Sequence, residues 1–164
     1  MHGEPHNFDN PMHPEARLSL AGLVLPDPMA PSANYVPFRK VGNLLYLSGH
    51  GPKFPDGSYL RGRLETADDI PRGYDAARQT ALNLLSTVKL AVGDLSKVQS
   101  IVKLLGMVNA SADFAFHPRV IDGCSDLLTA LFGEAGVHAR SAVGMGSLPH
   151  GMVVEIEAIL VVRD

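Results

Sequence analysis

The chain has 164 residues, of which 46% are hydrophobic and 19% are charged. This is the length and composition of one compact soluble domain, and folding buries roughly 70% of the unfolded surface of a chain this long. The single cysteine, Cys124, excludes an intrachain disulfide framework and indicates a reducing compartment. A formal charge of −3 with scattered Lys and Arg lacks the basic stripe that follows a phosphate backbone, so we expect no nucleic-acid partner.

Two features argue against a membrane or secreted protein. The apolar run from Met152 to Val162 is interrupted by Glu155 and Glu157, and it is too short to span a bilayer. The first 14 residues contain no apolar h-region of a secretory signal. We therefore expect no membrane partner and a cytoplasmic location.

Residues 1–31 predict an N-terminal arm, with the main domain at residues 32–164. The arm holds six of the 12 prolines and three of the seven histidines. Within it, a Pro and an acidic residue at the start and a Gly at the end predict a short helix over residues 14–22. The histidines cluster only in the arm, at His2, His6 and His13, and there we expect solvated side chains rather than metal ligands, because such spacing rarely binds a metal.

The remaining elements follow in chain order. Two apolar runs, Tyr35 to Val41 and Leu44 to Ser48, flank Gly42-Asn43 and predict a β-hairpin, and a short strand is expected near residues 58–60. Apolar residues at three- and four-residue steps predict helices over residues 68–92 and 118–132. Strands are predicted over residues 98–109, 139–145 and 152–163. The order β-β-(β)-α-β-α-β-β predicts an α+β domain in which two helices cover one face of a mixed sheet.

The last strand suggests that the chain associates with copies of itself. One face carries alternating apolar residues that can pack under the helices, namely Val154, Ile156, Ala158, Leu160 and Val162. The other face mixes Glu155 and Glu157 with Val153, Ile159 and Val161, and no further helix is available to cover it. A partly apolar, uncovered face predicts a homo-oligomer.

Several kinds of chemistry find little support. No metal-ligand motif is present, and Gly144-Met145-Gly146 lacks the residues of a phosphate-binding loop. Cys124 falls at a helix-core position, which favours a buried structural thiol over a nucleophile. Ser48 and Ser141 have no evident base beside them, so acyl-enzyme chemistry is disfavoured.

Arg140 requires an explanation because it lies in a strand of small and apolar residues. Burying an unpaired guanidinium is costly, and its planar donors match a carboxylate. The partner is either a structural acidic residue or the acid group of a substrate. Glu155, on what we expect to be the adjacent strand, is a candidate for orienting a water molecule.

Three segments together resemble the Rid (YjgF) family of imine and enamine deaminases, also labelled endoribonuclease L-PSP. The first is residues 31–35 with the 42–49 hairpin, the second is the helix around residues 77–85, and the third is residues 140–143 followed by 148–149 and 154–158. The resemblance covers residues 31–164, and its order and spacing are specific. The chain is therefore similar to a divergent YjgF-like branch.

The resemblance implies a chorismate-mutase-like fold of the bacillus type and a homotrimer with clefts between subunits. In such a cleft, Arg140 would hold the substrate carboxylate, Glu155 would place or activate water, and Tyr35 would line the wall. Ser48, Ala142 and Pro118 match further substrate-binding positions. The implied reaction converts a 2-imino acid, of the kind derived from 2-aminoacrylate, to a 2-keto acid and ammonia without a cofactor.

The chain departs from better-known members at three positions within the region that the resemblance covers. Ala142 replaces a cysteine, Pro118 stands where an asparagine is found, and His50 stands where a Gln is usual. There are two alternatives to deamination. One is a non-catalytic trimer that binds small carboxylates or other proteins, and the other, disfavoured by the acidic balance, is ribonuclease activity.

Overall fold

The fold is given by a computed structural model that describes residues 13–28, 30 and 33–163. Its helices are α1 (Pro14–Leu20), α2 (Ile70–Val92) and α3 (His117–Phe132). Its strands are β1 (Phe38–Val41), β2 (Leu44–His50), β3 (Val98–Asn109), β4 (Ala139–Met145) and β5 (Val154–Val162). The strands form one five-stranded sheet in the order β1-β2-β5-β3-β4, in which β3 and β4 are parallel and the other neighbours antiparallel. The predicted α+β class is confirmed.

Local turn chemistry sets most element ends. Gly42 has φ +58°, which a glycine adopts without strain, and it closes the β1-β2 hairpin at Gly42-Asn43 as predicted. Gly93, with φ +85°, ends α2. The strand expected near residues 58–60 is absent from the described structure, where this segment makes isolated bridges between Lys53 and Tyr59 and between Arg61 and Met152. No helix among the described residues is long and apolar enough to cross a membrane.

The sheet has one covered and one open face. Leu104 of β3 and Ala158 of β5 are paired and buried beneath the helices, whereas the neighbouring pair Leu105 and Glu157 points to the other side. The predicted alternation along β5 is therefore confirmed from Val154 onward. Val153 is an exception, because it precedes the strand and is fully buried.

The open face is partly apolar. Tyr46 of β2 and Val143 of β4 are 41% and 42% exposed, and Ile159 and Val161 of β5 are half-buried. Nothing among the described residues covers these side chains with a helix. This is the surface that the sequence predicts to be buried in an oligomer.

The short helix α1 packs against the body of the domain. Leu18 is 4% exposed and belongs to the main core, while Glu15 forms an ion pair with Lys89 of α2 at 2.8 Å. His13 accepts a hydrogen bond from the Glu15 N–H and lies 3.2 Å from the Asp94 carboxylate. The prediction that His13 is solvated is therefore wrong, because the ring caps α1. His2 and His6 lie outside the described residues, as do residues 31 and 32, so the domain boundary stays a prediction.

Helices α2 and α3 cross at a glycine. A Cβ atom built on Gly123 would overlap the backbone carbonyl oxygen of Tyr74. At Gly73, in contrast, a Cβ atom would meet side-chain methyl groups of Leu64 and Val120. Gly123 thus sets how closely α3 approaches α2, and α3 in turn carries the partners of Arg140 described below.

We expect Gly123→Ala to destabilise the fold by about 1–3 kcal/mol, because backbone cannot yield to the added methyl group. That figure is the cost of the overlap alone. Alanine also gains about 1 kcal/mol over glycine in a helix interior, and we expect the overlap to outweigh this gain, so that the variant is less stable than the wild type. Gly73→Ala is the matched control, where side-chain methyl groups can shift and the loss should be smaller. Denaturant unfolding measures both, and a Gly123→Ala protein as stable as the wild type would contradict the packing argument.

Candidate functional site

Arg140 lies on the edge strand β4 and points toward α3. It pairs in register with the buried Leu104, so its side chain lies on the helix-covered side of the sheet. Nη1 donates to Asp122 Oδ1 and to Ser125 Oγ, both at 2.9 Å, and Nη2 donates to the Pro118 carbonyl at 3.3 Å. The structural acidic partner that the sequence left open is therefore Asp122.

The guanidinium group of Arg140 retains binding capacity. Of its five N–H donors, three are used by Asp122, Ser125 and Pro118. Nε–H and one Nη2–H have no hydrogen-bond partner within the described part of the chain. The Arg140 side chain is 21% exposed, so solvent reaches the group. The ion pair with Asp122 fixes the position of the guanidinium, and two N–H donors are left for a ligand.

His138 contributes to this arrangement through a hydrogen bond with Ser125. His138 Nδ1 lies 2.6 Å from the Gly136 carbonyl, which can only accept, so Nδ1 carries the proton. Nε2 then accepts from the Ser125 hydroxyl at 2.9 Å, and the oxygen of that hydroxyl accepts from Arg140. In this series of hydrogen bonds from Arg140 Nη1 through Ser125 and His138 to Gly136, each donor therefore meets an acceptor.

The sequence reasoning did not identify Asp122, Ser125 or His138. A signal was nevertheless present, because Pro118, Asp122 and Ser125 recur at i, i+4 and i+7 on the predicted helix and therefore share one face. An arginine predicted on a neighbouring strand made that face the natural place to look for its partner.

Ala142 and Pro118 lie close to Arg140. Ala142 is two residues further along β4, on the same side of the sheet, and packs at the edge of the core. Pro118 contributes its main-chain carbonyl from the first turn of α3. The His117 ring lies over Gly144, where a side chain would overlap it. We call Arg140, Ala142 and Pro118 the arginine cluster.

Ser48, near the end of β2, is bonded to the segment that precedes β1. The Ser48 hydroxyl donates to the Val36 carbonyl at 2.7 Å, and the Ser48 N–H donates to the Pro37 carbonyl at 3.0 Å. These bonds attach the segment that carries Tyr35, whose side chain is 48% exposed. The register of β2 against β5 shifts between Leu47 and His50, which marks a β-bulge.

Glu155 lies directly on this bulge. A Cβ atom at Gly49 would overlap Oε1 of Glu155, so the carboxylate occupies the space that the glycine leaves free. Burial, and to a lesser extent the neighbouring Glu157 carboxylate, raise the pKa of Glu155. A carboxylate with a raised pKa is a suitable proton acceptor near neutral pH. We call Ser48 and Glu155 the glutamate cluster, and the segment that carries Tyr35 is attached to it through Ser48.

The two clusters lie on opposite faces of the sheet. Arg140 shares the register and side of Leu104 and Ala158, whereas Glu155 is three residues from Ala158 and points the other way. The expectation that Arg140 and Glu155 lie on adjacent strands is wrong, because β3 separates β4 from β5. At about 4.8 Å per strand, their backbones are about 10 Å apart across the sheet. Within one chain, the two groups therefore point to opposite sides of the sheet.

The described residues favour no metal or thiol chemistry. No group of three or more His, Cys, Asp or Glu side chains among them is arranged to hold a metal ion. Cys124 is fully buried, and burial raises the pKa of its thiol to about 12. This confirms the interpretation of Cys124 as a structural residue.

Comparison with known proteins places the chain in a family. It is 40% identical over 146 residues to protein TCP17 of Trypanosoma cruzi, covering 88% of this chain and 91% of that protein. The crystal structure of Atu1372 from Agrobacterium tumefaciens, a protein of unknown function, is 43% identical with a TM-score of 0.84 and covers 92% of each chain. RidA from an Antarctic Psychrobacter is 27% identical with a TM-score of 0.58, covering 85% of this chain and 96% of RidA.

Residues 15–156 match the family described as "YjgF/chorismate_mutase-like, putative endoribonuclease". That match includes both Arg140 and Glu155 and begins within α1. The chain belongs to the YjgF/chorismate-mutase-like family.

Proposed function

We propose that this protein hydrolyses 2-imino acids to 2-keto acids and ammonia, in clefts formed between the subunits of a homotrimer. The observation that carries this proposal is the guanidinium of Arg140, which is held by Asp122 and Ser125 and still has Nε–H and one Nη2–H free of partners among the described residues. A small carboxylate can take these donors in a charge-assisted bond. The resemblance of residues 31–164 to the Rid family implies the same substrate class, and the chain's membership of the YjgF/chorismate-mutase-like family is consistent with it.

Separation of the two clusters argues for a site shared between subunits. The glutamate cluster lies on the open, partly apolar face that an oligomer would bury, and the arginine cluster lies at the edge strand β4. In a cyclic trimer, the β4 edge of one subunit can meet the open face of the next three times, and the ring closes. Each cleft then contains Arg140 from one subunit and Glu155 from its neighbour.

The chemistry requires positioning and one proton acceptor. The Arg140 guanidinium binds the substrate carboxylate. This places the electrophilic carbon of the imine, which is protonated on nitrogen, near Glu155 of the neighbouring subunit. The carboxylate of Glu155 accepts a proton while the water oxygen bonds to that carbon and the C=N π electrons move to nitrogen. Glu155 passes that proton to the nitrogen of the resulting carbinolamine and becomes a carboxylate again. It then accepts the hydroxyl proton as the C–N bond breaks, so that ammonia and the keto acid leave, and Glu155 returns this proton to solvent.

Arg140→Ala should lower kcat/KM for enzymatically generated 2-aminoacrylate by roughly 100-fold or more, because the acid group loses its charged partner. Asp122→Asn is the matched control: it removes the ion pair but keeps the guanidinium, so its loss should be much smaller. Keto-acid formation measures both rates. Equal losses in the two variants would mean that Arg140 acts only through the fold.

Binding of a 2-keto acid and cleavage of RNA, measured on the same proteins, test the two alternative functions. Wild-type protein that binds a 2-keto acid without accelerating imine hydrolysis would be a carboxylate-binding module. RNA cleavage that persists in Arg140→Ala would require a different site. Either result, with no imine turnover, would contradict the proposed reaction.

Mixing two inactive variants tests the shared site. Arg140→Ala and Glu155→Gln should each be nearly inactive, but random mixed trimers should recover about a quarter of the wild-type rate, because one site in four combines an intact Arg140 with an intact Glu155. The subunits would be unfolded and refolded together, with each variant refolded alone as the control. No recovery in trimers shown to be mixed would place both groups in one subunit.

The acid limb of the pH profile tests Glu155. A proton acceptor works only when ionised, so activity should fall as the pH drops through the raised pKa of Glu155. Glu157→Gln removes one of the two causes of that raised pKa and should move the acid limb of kcat to lower pH. A limb that stays in place in Glu157→Gln would assign it to another group.

A further inference from the structure

His50 is one of the few buried polar side chains, and both of its ring nitrogens are occupied. The side chain is 2% exposed and lies between the sheet and α2. Nδ1 is 2.6 Å from the Ser48 carbonyl oxygen, and Nε2 is 2.7 Å from Thr87 Oγ1. None of the steps of imine hydrolysis described above uses this residue.

The partners determine the protonation state of the ring. A carbonyl oxygen only accepts, so Nδ1 must carry the proton, and Nε2 of the neutral ring then accepts from the Thr87 hydroxyl. Burial lowers the pKa of His50, opposed by the smaller effect of the Ser48 hydrogen bond. The ring is therefore neutral at neutral pH and has a single tautomer.

The Ser48 carbonyl that His50 holds belongs to the β-bulge under Glu155. Ser48 is bonded at its N–H, its hydroxyl and its carbonyl, to Pro37, Val36 and His50 respectively. The first two bonds attach the Tyr35 segment. The third comes from beneath the sheet and fixes the peptide unit that joins Ser48 to Gly49.

Glu155 depends on that peptide unit. Its carboxylate fits against Gly49 so closely that a methyl group there would overlap it. A rotation of the Ser48-Gly49 peptide would therefore change where the carboxylate lies and how much water reaches it. Displacements of about 1 Å at such a group can cost 100-fold in rate.

We propose that His50 is a positioning residue that, from the covered side of the sheet, holds the Ser48-Gly49 bulge and thereby places Glu155 and the Tyr35 segment on the open side. Its role in the reaction rests on the proposed function, because Glu155 is the proton acceptor there. Its role in placing the carboxylate is measurable without any turnover.

The experiment compares three variants of the full chain. His50→Leu removes both hydrogen bonds of the ring. His50→Gln keeps an amide donor for Ser48 and an amide oxygen for the Thr87 hydroxyl. Thr87→Val is the matched control, because it also removes one buried hydrogen bond from the same ring, on the side away from Glu155.

The first readout is the carboxyl ¹³C titration of Glu155, assigned by its disappearance in Glu155→Gln. In His50→Leu the measured pKa should shift down toward the ordinary glutamate value, because the carboxylate gains water. It should stay near the wild-type value in His50→Gln and Thr87→Val. Identical titrations in His50→Leu and the wild type would overturn the proposal.

The second readout is kinetic. His50→Leu should lower kcat roughly 10- to 100-fold with little change in KM, since Arg140 still binds the acid group. His50→Gln should rescue most of this loss, and a comparable kcat loss in Thr87→Val would indicate a general packing defect instead and overturn the proposal. If the wild type shows no turnover, the proposed function fails while the titration still decides the role of His50.

The third readout needs no variant and applies even if His50→Leu does not fold. Ring ¹⁵N shifts of the wild-type protein should show a neutral His50 protonated on Nδ1. A ring protonated on Nε2 alone could not donate to Ser48 and would overturn the proposal.

Discussion

The site depends on the pleat of β5, which lies between β2 and β3 and serves two different faces of the sheet. Ile156 and Ala158 fill the core under the helices, and this requires Glu155 and Glu157 to point to the opposite side. A shift of one residue in the β3-β5 register would bury both carboxylates and expose the apolar set, so the register is strongly specified. The position of Glu155 is thus a consequence of how the core is built.

The same pleat separates Glu155 from Arg140. On β4, Arg140 lies in register with core residues and would be a half-buried, unpaired charge without its partners on α3. Asp122, Ser125 and the Pro118 carbonyl are those partners, and His138 completes the donor-acceptor chain. Because α3 approaches α2 at Gly123, the packing of two helices determines where the guanidinium lies. A substitution at Gly123 can therefore displace the Arg140 guanidinium without contacting it.

Much of the fold could be predicted because its signals are local. The bounds of β3 and β4 agree with the predicted strands, since β-branched and aliphatic runs end at turn residues. The 3.6-residue period gave α2 and α3 to within two residues. The neighbours of the strands could not be predicted in this way: β4 and β5 are consecutive in the chain, yet β3 lies between them. Which strands pair depends on contacts between residues that are far apart in the sequence. The relative position of Arg140 and Glu155 could therefore be found only from the structure.

The clusters also show why changes at certain site positions can be compatible with the proposed function. Pro118 supplies a backbone carbonyl to Arg140, which any residue supplies, and its fixed φ suits the first turn of α3. Ala142 adds packing at the edge of the core. His50 differs from both, because its contribution to the bulge comes from a side-chain donor, and only a residue with a donor and an acceptor at similar reach can replace it. The geometry therefore tolerates substitution where the main chain supplies the contact and restricts it where a buried side chain holds the main chain in place.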